Sequence, residues 1–207
     1  MSKTSSRFTL ADWRKTVGEL YAQIRACKEQ ARDETCDRFR EARDALFRHH
    51  PDTPLSGDRL NAFHGIEYFP YHPKWRVMGR VQAANGDGFE IPLARDGVLR
   101  VSPAGRAHFE LEGRAYMLTV FWMEGYGGGL WLPFGDATGK KDTFGGGRYL
   151  YDTIKGADLG VNGDTMVLDF NYAYNPSCAY NDHWVCPLVP RENVLPIAIE
   201  AGEKVFR

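Results

Sequence analysis

The chain has 207 residues, of which 43% are hydrophobic and 26% charged, with a formal net charge of -1. That is the make-up of a folded protein with one substantial core, and it excludes a large multidomain enzyme. A near-neutral chain has no general attraction for nucleic acid or anionic membrane, so neither is expected as a partner.

The first thirteen residues carry no apolar stretch long enough for a signal peptide, and no run approaches the roughly 20 apolar residues of a membrane helix. The expected setting is therefore soluble and cytoplasmic. Four cysteines in two separated pairs suit that compartment. Cys27 and Cys36, nine residues apart, would fall on opposite faces of a continuous helix and are expected as free thiols. Cys178 and Cys186 come close only if the loop between them folds back, leaving free thiols, a disulfide or a metal open.

From about Thr9 to His49 the apolar residues Trp13, Val17, Leu20, Ile24, Ala31, Phe39, Ala42 and Leu46 recur at spacings near three and four, which predicts helix. Thr9 followed by Asp12 suggests the N-cap, and Pro51 and Pro54 the stop. Either this is one long helix or it breaks in the polar stretch Lys28 to Asp37 to make a helical hairpin. Its apolar stripe packs on the rest of the protein or pairs with a second copy as a homodimer.

After the linker ending at Gly57 the pattern changes to short alternating runs punctuated by glycine. Residues 1–57 are thus read as a helical segment and linker, and 58–207 as a β-rich domain carrying the site. Turns are expected at Asn85 to Gly88, at Asp96 and Gly97, and at Glu112 and Gly113. The expected strands between them are Phe89 to Leu93, Val98 to Ser102, Ala107 to Leu111 and Tyr116 to Trp122. Gly129 to Phe134, Arg148 to Tyr151, Thr165 to Phe170 and Leu195 to Ile199 follow. The class is α+β, with a curled antiparallel sheet forming a barrel-like or sandwich core.

Gly125 to Thr153 carries two triple-glycine clusters. A phosphate loop would need glycine where Phe134 stands and a hydroxyl residue where Lys141 stands, and a dinucleotide fingerprint would need glycine where Leu130 stands. Both patterns fail, so bulges and tight turns are the plainer account of the glycines. Without a nucleotide signature, acid-base chemistry of a hydrolytic kind is favoured over redox chemistry, and no cofactor is expected.

Asp169 to Cys186, DFNYAYNPSCAYNDHWVC, is polar and aromatic with hardly an aliphatic residue. Such side chains need hydrogen-bond partners when buried, so the segment suits the wall of a site better than a core strand. Arg148 would anchor a small anion with its planar fork, or else pair with Asp136 or Asp169 in a buried network. Asp169 and Asp136 are the candidate acid and base. Thr138, Asn171 and Asn175 would orient the substrate, with the Tyr174 and Tyr180 phenols as contacts or packing. Cys178, His183 and Cys186 are a weaker alternative as a zinc site lacking its fourth ligand. A noncatalytic small-molecule receptor and a polar network that only stitches a loop remain the rival readings. Trp75, Trp122, Trp131 and Trp184 either fill the core or line a pocket.

The runs PFGDATGKKDTFGGGRYL, DFNYAYNPSCAY and CPLVPRENVLPIAIEAGE, with YFPYHPKWRV upstream, resemble an uncharacterised prokaryotic family catalogued as domain of unknown function 1684. The resemblance spans the chain from about Phe63 onward. It implies that Asp136, Thr138, Arg148, Asp169, Asn171, Tyr174, Asn175, Cys178, Tyr180, Cys186 and Glu203 occupy family motif positions, with His183 outside them. It implies no reaction.

Overall fold

The computed structural model describes residues 5–93 and 97–207. The helical segment is a hairpin of α1 (Arg7–Ala26) and α2 (Arg32–His49). The break at Cys27 to Ala31 sits in the polar stretch, and Cys27 Sγ lies 3.0 Å from Thr35 Oγ1 across it. Cys27 therefore caps α1 while Cys36 lies within α2, and both are free thiols. The N-cap is Ser6 and not Thr9: Ser6 Oγ accepts from Thr9 N at 3.2 Å, and Thr9 Oγ1 accepts from Ser6 N at 2.8 Å. Thr9 supplies the other half of that capping box, so the helix starts one turn earlier than its apolar stripe suggests.

Beyond a short helix α3 (Gly57–Asn61) comes one antiparallel sheet of eight strands. They are β1 (Arg76–Ala83), β2 (Phe89–Pro92), β3 (Val98–Leu111), β4 (Arg114–Met123), β5 (Gly129–Phe134), β6 (Arg148–Asp152), β7 (Val161–Asn162) and β8 (Thr165–Asp169). The order is β6-β5-β4-β3-β1-β8-β7, and β2 also pairs with β3, giving a curled half-barrel. The α+β class with a barrel-like sheet is as the sequence implies.

Glu112 and Gly113, both at positive φ, make the tight β3–β4 turn. The expected strands Val98 to Ser102 and Ala107 to Leu111 are one strand with a register shift between Pro103 and Gly105, because a bulge absorbs the proline without ending the ladder. The Asn85 to Gly88 turn is not a hairpin. It joins β1 and β2, which lie end to end along β3. Asp96 of the second expected turn lies outside the described residues. Leu195 to Ile199 bends at Pro196 and Ile197 and forms no strand of the sheet, since Pro196 has no N–H for a ladder; Leu195 N instead donates to Gly135 O at 2.8 Å and Ile199 N to Asp136 Oδ1 at 3.3 Å.

The hairpin and sheet share a core that includes Val17, Tyr21, Cys36 and Phe39 with Leu118, Leu132, Leu150 and Leu168. Tyr21 meets Phe39 edge-on, and Phe39 meets Tyr172. The approach is close at Gly156, at φ +90, where an added Cβ would lie 2.8 Å from both Arg14 O and Gly18 N of α1.

Candidate functional site

The expected site residues fall into three buried polar clusters. The first is built on Arg148, which opens β6 and is fully buried. One guanidinium nitrogen donates to Asp136 Oδ2 at 2.7 Å and to Ile199 O at 2.9 Å. The other donates to the carbonyl of Ala201 and, at 3.3 Å, to Glu203 O. Asp136 Oδ1 accepts from Thr138 N and Oγ1 at 2.8 and 2.5 Å, and the Thr138 and Thr143 hydroxyls lie 2.8 Å apart. Burial lowers the Arg148 pKa, and the Asp136 carboxylate opposes that shift. These contacts commit the Arg148 fork to the protein's own groups and bind the segment 199–203 to the sheet.

The second cluster is built on Glu203, also fully buried. Its carboxylate accepts from Arg43 Nε at 2.5 Å, from Asn175 N at 2.7 Å and from the Tyr180 hydroxyl. Burial works against the Arg43 charge, yet Glu203 holds its pKa well above the usual range. The Arg43 guanidinium also lies over the rings of Phe47 and Tyr174. Arg43 arrives from α2, 160 positions from Glu203, and was not among the expected site residues.

The third cluster lies at the end of β8. Asp169 Oδ1 accepts from Asn171 N at 3.1 Å and Nδ2 at 2.9 Å, while Asn171 exchanges hydrogen bonds with the His72 backbone. Asp169 Oδ2 lies 3.7 Å from Arg76 Nε, because the β1–β8 register sets those two residues opposite each other. Burial pushes the Asp169 carboxyl up to about 6, against the Asn171 hydrogen bonds and the Arg76 and Arg32 charges, which pull it down. Asp169 lines a cleft of about 210 Å³ with Arg25, Arg32, Arg76, Cys27, Thr165 and Tyr172. The sequence pointed to Asp169 and Asn171 but not to these arginines, which sit on α1, α2 and β1, far from them along the chain.

Asp136 and Arg148, Asn175 and Tyr180, and Asp169 and Asn171 thus do not converge on one cavity. Cys178 and Cys186 do meet, with Cys178 N donating to Cys186 Sγ at 3.3 Å. Hydrogen bonding from Cys178 lowers the Cys186 thiol pKa and raises that of Cys178. His183 N donates to Asn181 Oδ1 at 3.0 Å, and its ring lies against Trp184. Among the described residues no group of three His, Cys, Asp or Glu is arranged to hold a metal ion.

A helical hairpin packed on a curled antiparallel sheet, with buried ion pairs and an arginine-rimmed cleft, defines an α+β class. The model of a family described as a protein of unknown function, DUF1684, matches residues 61–204, and the chain belongs to that family. It is similar to the solution NMR structure of an uncharacterised protein from gene locus rrnAC0354 of Haloarcula marismortui. The two are 31% identical with a TM-score of 0.62, covering 83% of this chain and 92% of that one. No curated protein matches.

Proposed function

We propose that the protein is an enzyme acting on a small anionic metabolite by acid-base chemistry of a hydrolytic kind, at the Asp169 cleft. The observation that carries this reading is a carboxyl raised to about 6 on the wall of a cleft that also holds three arginines. A carboxyl titrating near neutrality both accepts and returns a proton at working pH. A cleft of about 210 Å³ suits a small metabolite, and Arg25, Arg32 and Arg76 supply the charge to hold an anion.

In this reading Asn171 fixes Asp169 Oδ1, leaving Oδ2 as the atom that takes a proton from water or substrate and gives it to the leaving group. Arg76 stands beside that oxygen, and Arg32 and Arg25 bind the substrate anion. The anchoring role passes from Arg148, whose donors are occupied and buried, to these three, of which Arg25 also pairs with Asp158 at 3.5 Å and Arg32 with Glu29 at 3.6 Å. No helix among the described residues is long and apolar enough to cross a membrane. A cytoplasmic setting goes with this proposal, supported by the four free thiols.

The test pairs binding with turnover. Inorganic phosphate and small dicarboxylates are titrated calorimetrically into the wild type, Arg32→Gln and Asp169→Asn proteins, and a panel of small carboxylic and phosphate esters is assayed for hydrolysis. The reading expects Arg32→Gln to weaken anion binding about tenfold or more, the scale of one charge-assisted contact. It expects Asp169→Asn to keep binding while losing about a hundredfold or more in rate. Binding without turnover in any variant would make the protein a receptor. Neither binding nor turnover would end both readings.

A further inference from the structure

A second cavity, larger than the Asp169 cleft and distinct from it, lies where the first turns of α1 face β4, β5 and the segment 184–187. It encloses about 520 Å³ and is walled by Trp13, Trp131, Trp184, Met123 and Ile154. Its apolar walls are not all covered: Leu10, Ile154, Trp184 and Val185 on its lining are exposed large hydrophobics. Exposed apolar surface gathered around a concavity marks a binding site more often than scattered apolar residues do.

The polar lining sets the chemistry of the occupant, and beside the cations it includes the Asp52 carboxylate, whose buried Oδ2 has no hydrogen-bond partner among the described residues. Arg7 and Arg14 line the cavity, and neither pairs with a carboxylate among the described residues, whereas Lys155 beside them is held by Asp152 at 3.2 Å. At the inner end an adjoining chamber of about 70 Å³ shares Trp13, Tyr149, Lys155 and Ser177 with the main space. The buried Asn175 Oδ1 in that chamber has no hydrogen-bond partner among the described residues. An unsatisfied buried acceptor is costly unless a ligand group or water supplies a donor.

We propose that this cavity binds an amphipathic carboxylic acid, with an apolar body of roughly eight to twelve carbons against the tryptophans and its carboxylate on Arg14. The Asn175 chamber takes water or a polar tip of the ligand. Cys186 also lines the cavity, so an occupant shields its sulfur.

The experiment uses the full chain and the tryptophans as reporters. Octanoate, decanoate and dodecanoate, below their micelle-forming concentrations, are titrated while intrinsic fluorescence is followed, with 1-decanol as the uncharged probe. Alkylation of Cys186 by iodoacetamide is measured in parallel. The expected result is saturable binding that tightens up to about fourfold per methylene, with decanoate preferred to decanol about tenfold. Arg14→Gln, at an exposed position, abolishes that preference and leaves decanol binding unchanged, and bound decanoate slows Cys186 alkylation. The proposal is overturned by affinity independent of chain length, by equal affinity for decanol, or by a charge preference that survives Arg14→Gln. A concentration-dependent dimer in light scattering that blocks the probes overturns it too, because the apolar rim is then covered by a second copy.

Discussion

Asp169 stands apart from the other buried acids because the protein holds it at a cost. Its carboxyl titrates at about 6 in the fold, against 3.8 as its ordinary value. Between those values the folded state binds more protons than the unfolded one, so stability falls as pH rises from about 4 to about 6 and stays reduced above that. Asp169→Asn removes this penalty, so thermal melts at pH 8 should show a gain of roughly 1 to 3 kcal/mol and melts at pH 4 essentially none. An equal shift at both pH values would mean that the carboxyl is not raised. Substitution of Glu203 should have the opposite effect on stability, since Arg43 Nε, Asn175 N and the Tyr180 hydroxyl all donate to its carboxylate. Glu203→Gln leaves Arg43 buried without its counter-charge and should cost roughly 3 to 5 kcal/mol in urea denaturation at neutral pH. The thiols separate likewise. Cys186, lowered by its contact with Cys178, should be alkylated fastest near neutral pH, while buried Cys36, raised to about 12, should stay unlabelled until the protein unfolds. Peptide mass mapping of a brief iodoacetamide pulse reads both.

Among the elements, α1 packs closely on the turn after β6. Gly156 allows it by taking a positive φ and carrying no side chain where Arg14 O and Gly18 N approach. Gly156→Ala meets both obstacles, and a loss of about 1 to 3 kcal/mol is expected, read as an earlier melt of helical circular dichroism. The elements legible in the sequence were those with local signals. The Glu112 and Gly113 turn and the β5 and β6 runs were readable from neighbours a few positions apart, and the polar stretch marked where a break between helices would fall but not that there is one. β1 was not read: its burial alternates from Val77 to Gln82, but the apolar Met78 falls on the exposed side and Gly79 on the buried side, so the residue types hide the period. Leu195 to Ile199 misled in the other direction: its apolar composition reflects burial against the Asp136 loop, not pairing in the sheet. The site residues divide the same way. Asp169 and Asn171 lie two apart and were visible, whereas Arg43 with Glu203 and Arg32 with Asp169 are joined only by the fold, and no spacing rule links them.

At the scale of the whole molecule the helical hairpin and the sheet share one core, so they should unfold together. Circular dichroism and tryptophan fluorescence are expected to give coincident urea transitions; an earlier loss of helix would show that the hairpin is a separate unit. A homodimer through α1 would have to use a face that the sheet leaves free, since Val17 and Tyr21 are already buried. Phe8, almost fully exposed, lies on the part of α1 still available. Light scattering across a concentration series decides whether a second copy uses it.

The Arg148 clamp carries a consequence for how the chain is made. Three carbonyls from Ile199 to Glu203 cap its guanidinium, and Glu203 itself receives Arg43 from α2. Arg43 has no counter-charge until that stretch has left the ribosome, and Arg148 has Asp136 but not its carbonyl caps. A nascent chain stopped at Val194 would hold the Arg43 charge unmatched in a half-built interior, so the fold closes only when the segment 199–203 docks.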